Sequence, residues 1–220
     1  MEELSLANGG RRIKFSLNRV GNLEIFSGFP HEAMTTLSGA LHELEISGAA
    51  PILPDGKVGG NVGCLLEYQG QYVLLASRSG KEAGHKLDTD EFCVVTEFNR
   101  ESWGANFHSK SEEYNPTSDT PLLWFALVEA HKKFNWVKQP KVALHGHALA
   151  FHDGTLFPTS PVETLFSTPE DLQALEQLFA TYSYPEHNIF IRLGHGFFLL
   201  ADTVDEALVL FRKNILANTK

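Results

Sequence analysis

The stretch Val142-Ala143-Leu144-His145-Gly146-His147-Ala148-Leu149-Ala150 decides how this 220-residue chain is read. Its apolar residues on either side of the histidines predict a strand over 141–151. Strand side chains alternate between faces, so His145 and His147 project to the same side, roughly 6–7 Å apart. Two imidazoles so placed suit one divalent ion, at about 2.0–2.1 Å per bond. Taken alone, the pair reads more readily as surface histidines or hydrogen-bonded core histidines. Gly146 presents no side chain to the opposite face, which predicts close packing there. A third imidazole stands in Gly194-His195-Gly196, between strands expected at 188–193 and 197–201. Its glycines let the backbone come close to another element, and His195 then completes a set of three histidines.

Working outward, short strands alternate with helices, which predicts mixed α/β architecture. Met34, Leu37, Leu41 and Leu44 recur at helical spacing over 30–47, and Gly48, Pro51 and Pro54 end that helix. Before it, Ile13, Phe15 and Leu17 alternate weakly, and residues 1–30 are expected to form an extra hairpin. Strands at 62–68 and 71–77 flank Gln69-Gly70, a tight-turn pair. Residues 92–98 form another strand, and the polar, aperiodic stretch 99–115 reads as a loop. Ser118-Asp119-Thr120-Pro121 opens a helix, with small polar caps and a proline where no amide is needed. A further helix covers 169–181, and Thr203-Val204-Asp205-Glu206 is a capping box at the start of the last one.

The 27 acidic and 18 basic residues leave a net charge of -9, and no basic run offsets it, which argues against a nucleic-acid partner. Hydrophobic residues at 43% and charged residues at 20% exclude wholesale disorder. Cys64 and Cys93 form no CxxC and read as buried small hydrophobes in a reducing compartment. Met1-Glu2-Glu3-Leu4 lacks the basic start of a secretion signal. The most apolar stretch, 189–201, is broken by Arg192 and His195 and falls short of the ~20 residues that span a bilayer. The expectation is a soluble, cytoplasmic protein with no membrane partner, one domain over 1–220 with residues 1–30 as an N-terminal extension.

Five blocks in order over about 59–210 resemble the class II aldolase/adducin family, which includes fuculose-phosphate aldolases and ribulose-phosphate 4-epimerases. Gly60-Asn61-Val62-Gly63 resembles its Gly-Asn-x-Ser segment, with Gly63 in place of serine. Ser77-Arg78-Ser79-Gly80 and Leu87-Asp88-Thr89-Asp90-Glu91 resemble its Thr-x-Ser-Gly and Leu-Thr-x-x-Asp blocks. Pro116-Thr117-Ser118-Asp119-Thr120-Pro121 is similar to Pro-Ser-Ser-Glu/Asp-Thr-Pro, and Leu123 stands where many members have histidine. His145-Gly146-His147 stands for His-Thr-His, and the stretch from Leu193 to Ala207 resembles the closing Asn-His-Gly and Gly-x-Thr-x-Glu-Glu-Ala pattern.

The resemblance implies a three-layer α/β/α sandwich with a mainly antiparallel central sheet, assembled as a homotetramer. It implies a zinc site, or one for another divalent metal, from His145, His147, His195 and Asp119. It also implies phosphate contacts at Asn61, Ser79, Gly80, Thr117 and Ser118. The implied activity is a lyase that cleaves a small sugar phosphate through a metal-stabilised enediolate, with Asp119 as the catalytic carboxylate. Aspartate is a methylene shorter than the family's glutamate, which favours a fixed ligand and a proton carrier elsewhere. Tyr182 and Tyr184 are candidates for that carrier, or else buried aromatics. The alternatives are a sugar-phosphate 4-epimerase and a non-catalytic, adducin-like assembly module.

Overall fold

A computed structural model describes residues 12–26, 31–151 and 155–219. Its strands carry apolar side chains on both faces, so neighbouring residues enter different cores. Leu74, Ala143 and Leu200 point into one core, while Leu75, Leu144 and Leu199 point into the other. A sheet of this kind needs cover on both sides.

Among the described residues the sheet has eight strands: β1 (Ser16–Gly21), β2 (Gly60–Tyr68), β3 (Gln71–Ser77), β4 (Phe92–Asn99), β5 (Gly104–Ser109), β6 (Val142–Gly146), β7 (Ile189–Arg192) and β8 (Gly196–Ala201). Their order is β1-β5-β4-β3-β2-β6-β8-β7. Every neighbouring pair is antiparallel except β1 with β5. One face is covered by α1 (His31–Ile46), through Met34, Leu37, Leu41 and Leu44, and by α5 (Val204–Leu210). The other face is covered by α2 (Thr120–Trp124), the wider-turned Phe125–Glu129, α3 (Ala130–Phe134) and α4 (Pro169–Thr181). The result is the expected α/β/α arrangement around a mostly antiparallel sheet.

Local signals fare unevenly. Gln69 and Gly70 both take positive φ, 51° and 77°, as a two-residue hairpin turn requires. Thr203 caps α5 by accepting from the Glu206 amide at 3.1 Å, while the Glu206 carboxylate takes the amide of Asp202 rather than that of Thr203. Cys64 and Cys93 are buried and free.

Three expectations are corrected. The loop expected over 99–115 contains β5, which pairs with β4 on one side and β1 on the other. Ala105 and Phe107 are its buried alternate residues, and two apolar positions amid polar ones give too weak a period to read. Within 1–30, residues 1–11 and 27–30 lie outside the described residues. The described part forms no hairpin of its own: β1 adds in parallel at the sheet edge beside β5. Finally, the strand at 141–151 stops at Gly146, and residues 148–150 turn, with Leu149 at a φ of 60°.

That early stop is imposed by crowding. A Cβ on Gly146 would lie 2.5 Å from the carbonyl oxygen of Ala49. Gly196 has a φ of 138°, and a Cβ there would lie 2.1 Å from the carbonyl oxygen of Gly146. Both obstacles are backbone and cannot rotate away. Gly196→Ala is therefore expected to destabilise the fold by about 3 kcal/mol. Gly39→Ala, inside α1 with nothing within 4 Å of the new methyl, should instead stabilise it by up to about 1 kcal/mol. Urea unfolding of the two variants beside the wild type checks both signs.

Candidate metal centre

The glycine contacts bring three imidazoles together where β6 and β8 end. His145 is the penultimate residue of β6, His147 follows its end, and His195 lies in the turn between β7 and β8. Ring centroids are 4.5 Å apart for His145 and His195, and 5.4 Å for His147 with either of the others. One ring nitrogen from each lies within 4.8 Å of the other two. His145 and His195 are buried and His147 is half-buried.

Hydrogen bonding settles which nitrogen of His145 is free. Its Nδ1 stands 2.7 Å from the carbonyl oxygen of Phe197 and donates to it. In a neutral His145 ring the lone pair is then on Nε2, which is buried without a hydrogen-bond partner. Burial first, then the neighbouring imidazoles, pushes the pKa of His147 down to about 3 and that of His195 well below its ordinary value. Both rings are held neutral, the form that binds metal.

Asp119 joins from the start of α2. It occupies the N-cap position but makes no side-chain cap bond. Its carboxylate is 2% exposed and faces the histidines instead. Oδ2 accepts from Asn61 Nδ2 at 2.6 Å and stands 3.4 Å from His145 Nε2, while Oδ1 stands 3.8 Å from His195 Nε2. Oδ1 is buried with no hydrogen-bond partner. Helix capping and ligand geometry compete for this carboxylate, and the cap loses.

Sequence reasoning missed the group behind His195. Asp171, in the first turn of α4, places Oδ2 3.8 Å from His195 Nδ1 and forms a second acid–histidine cluster with Asp119 and His195. Fully buried Arg192 pairs with Asp171 and also donates to Thr164 Oγ1 at 2.5 Å. Burial raises the pKa of Asp171, with Arg192 opposing the rise. In the sequence Asp171 looks like an ordinary acidic residue of a helix start. The available signal was Arg192, a cation inside an otherwise apolar strand, which needs a buried acid.

Asp119, His147 and His195 floor a cavity of about 420 Å³, within the range of small-molecule sites, with His145, Asp171 and Arg192 behind that floor. Asn61, Ser79, Gly80, Thr117, Ser118, Asp119, His147 and His195 all line it. Two of the expected anion contacts are already engaged. The amide of Ser79 donates to Asn115 at 2.8 Å and that of Thr117 to Ser77 at 3.0 Å. Asn61 spends an amide hydrogen on Asp119. Leu165 and Phe166 add an apolar wall, and Arg12, Lys14, Arg78 and Lys81 bring cationic side chains to the rim. Gly63, Tyr182 and Tyr184 lie away from the cavity. A side chain at Gly63 would meet Leu74, Leu75 and Leu123, and the Tyr184 hydroxyl donates to Asp202 at 2.6 Å.

No helix among the described residues is long and apolar enough to cross a membrane. No protein-family model matches the chain, and no curated protein matches it in sequence. Solved structures do match in fold. The sugar-phosphate aldolase of Thermotoga maritima superposes with a TM-score of 0.57 at 15% identity, over 84% of this chain and 94% of the other. An aldolase II superfamily protein from Pseudomonas syringae gives 0.58 at 12% identity, over 83% and 71%. The L-fuculose 1-phosphate aldolase of Glaciozyma antarctica gives 0.55 at 11% identity, over 83% and 68%. The histidine-lined cavity therefore sits in a chain with the class II aldolase-like fold.

Proposed function

We propose that the chain is a metal-dependent, aldolase-like lyase acting on a small sugar phosphate, with His145, His147, His195 and Asp119 as the ligands of zinc or a similar divalent ion. One observation carries this reading. His145 Nε2 and Asp119 Oδ1 are buried without a hydrogen-bond partner, and His145 Nε2 faces the Asp119 carboxylate at 3.4 Å. One ring nitrogen from each of His145, His147 and His195 lies within 4.8 Å of the other two, beside the cavity that Asp119, His147 and His195 line. Orphaned buried polar atoms are costly unless something fills them, and neutral imidazole with carboxylate is a donor set suited to a divalent ion. When bound, the ion supplies Lewis acidity that polarises a substrate carbonyl and offsets the charge of an enediolate.

The chain's own residues do the rest. The Phe197 carbonyl fixes the His145 ring, Asn61 fixes Asp119, and Asp171, braced by Arg192, faces the far nitrogen of His195. Phe166 packs beside His195 at 5.6 Å between centroids and keeps water from that side. Ser79, Gly80, Thr117 and Ser118 form the wall at which the phosphate is proposed to sit, through hydroxyls and the amides of Gly80 and Ser118. The same reading takes the protein to be cytoplasmic and a homotetramer.

A second reading is favoured by the way Asp119 is held. Pinned by Asn61 at 2.6 Å and 2% exposed, it has little freedom to swing and carry a proton. That suits a ligand, as in an epimerase, with the proton moved by another group. Product analysis separates the two: aldehyde release marks cleavage, an isomeric ketose phosphate marks epimerisation.

Elemental analysis of protein purified without a nickel column is expected to give about one divalent ion per chain, lost in His145→Ala. No ion in either, with both folded, would sink the metal-enzyme reading and favour an assembly module. Asp119→Asn keeps the shape and the Asn61 contact region, and should weaken ion binding by at least about tenfold in a calorimetric titration. The metal-free protein should also lose stability in acid. Because His147 and His195 bind protons less readily folded than unfolded, their contribution to stability is constant above about pH 7 and falls as the pH drops below about 6.5. Thermal unfolding of chelator-treated protein across pH 5–8 reads the trend.

A further inference from the structure

Among the described residues four cationic side chains line the cavity, and three are committed elsewhere. Arg12 is paired with Asp55, Arg78 with Glu82 and Glu91, and Lys81 with Glu45. Lys14 differs. It lies just before β1 and places its ammonium 3.1 Å from the centre of the Phe166 ring. Its Nζ is buried and has no hydrogen-bond partner, and among the described residues it forms no ion pair. An ammonium has three donors, and an aromatic face satisfies none of them fully.

Charge counting gives the sign of the group that suits Lys14. Around this end of the cavity Asp119 and Asp171 contribute two negative charges, and Arg192 and Lys14 two positive ones. A divalent ion on the proposed ligands raises the sum to +2, more than the single negative charge of an enediolate can balance. The cradle at Ser79, Gly80, Thr117 and Ser118 would take the phosphate at another wall of the same cavity.

We propose that Lys14 is a substrate-binding residue that takes a carboxylate oxygen at the metal end of the cavity, so that the substrate class is a phosphorylated sugar acid that carries a carboxylate beside the reacting carbonyl. This rests on the sugar-phosphate reading above and narrows it. Carboxylate oxygens accept charge-assisted hydrogen bonds from ammonium, and a dry, aromatic-walled site strengthens them. The N-terminal segment, which precedes all five sequence blocks, would thereby set specificity.

Glycerol 3-phosphate and 3-phosphoglycerate share a carbon skeleton and differ by one carboxylate, so they form a matched pair of probes, with inorganic phosphate as the reference. Isothermal titration of zinc-loaded wild type should show 3-phosphoglycerate preferred over glycerol 3-phosphate by tenfold or more. Lys14→Met should reduce that preference at least tenfold while leaving inorganic phosphate within about threefold of wild type, and Lys14→Arg should retain most of it. No preference in the wild type, or equal losses for both organic phosphates in Lys14→Met, overturns the assignment. Ion binding is titrated separately. A chain that binds no ion but loses the preference in Lys14→Met keeps Lys14 as the carboxylate contact and overturns the metal centre. A chain that binds one ion with the preference unmoved does the reverse.

Discussion

Two strand ends share one narrow space, and the site depends on it. β6 and β8 run side by side until the backbone of Gly196 meets that of Gly146, which is itself pressed against the Ala49 carbonyl. Any side chain at either place would push the strands apart. Because none is there, the Phe197 carbonyl reaches His145, and His147 and His195 close around the same point. The φ of 138° at Gly196 is available to glycine at little cost and to other residues only under strain.

Packing this tight leaves little water to solvate the charged groups gathered beneath. Asp119, Asp171 and Arg192 are each at most 2% exposed, and every such group costs free energy unless it is partnered. Asp171 and Arg192 offset each other. Asp119 and the imidazoles are satisfied only in part, an arrangement held at the expense of stability. The large two-sided core, covered by helices on both faces, is what allows the fold to carry that cost.

At 11–15% identity to the three aldolase structures named above, the chain shares their fold with little of their sequence. The short blocks around Asn61, Ser79, Asp119, His145 and His195 were nevertheless legible, because each combines small residues with a polar one. β5 was not legible, since its pairing with β4 and β1 is what makes Ala105 and Phe107 an apolar face. Asp171 was hidden for a similar reason: its partner Arg192 is 21 residues away.

Local chemistry determined the hairpin at Gln69-Gly70, the helices from their apolar spacing and caps, and the three histidines as one candidate set. It determined these because turn dihedrals, helical periodicity and imidazole coordination are properties of a few neighbouring residues. Only the tertiary structure decided that Asp119 leaves its cap for the cavity, that Asp171 stands behind His195, and that Lys14 reaches the cavity with no hydrogen-bond partner among the described residues. Those outcomes turn on burial and on which charges meet across the fold, and no local window of sequence contains either.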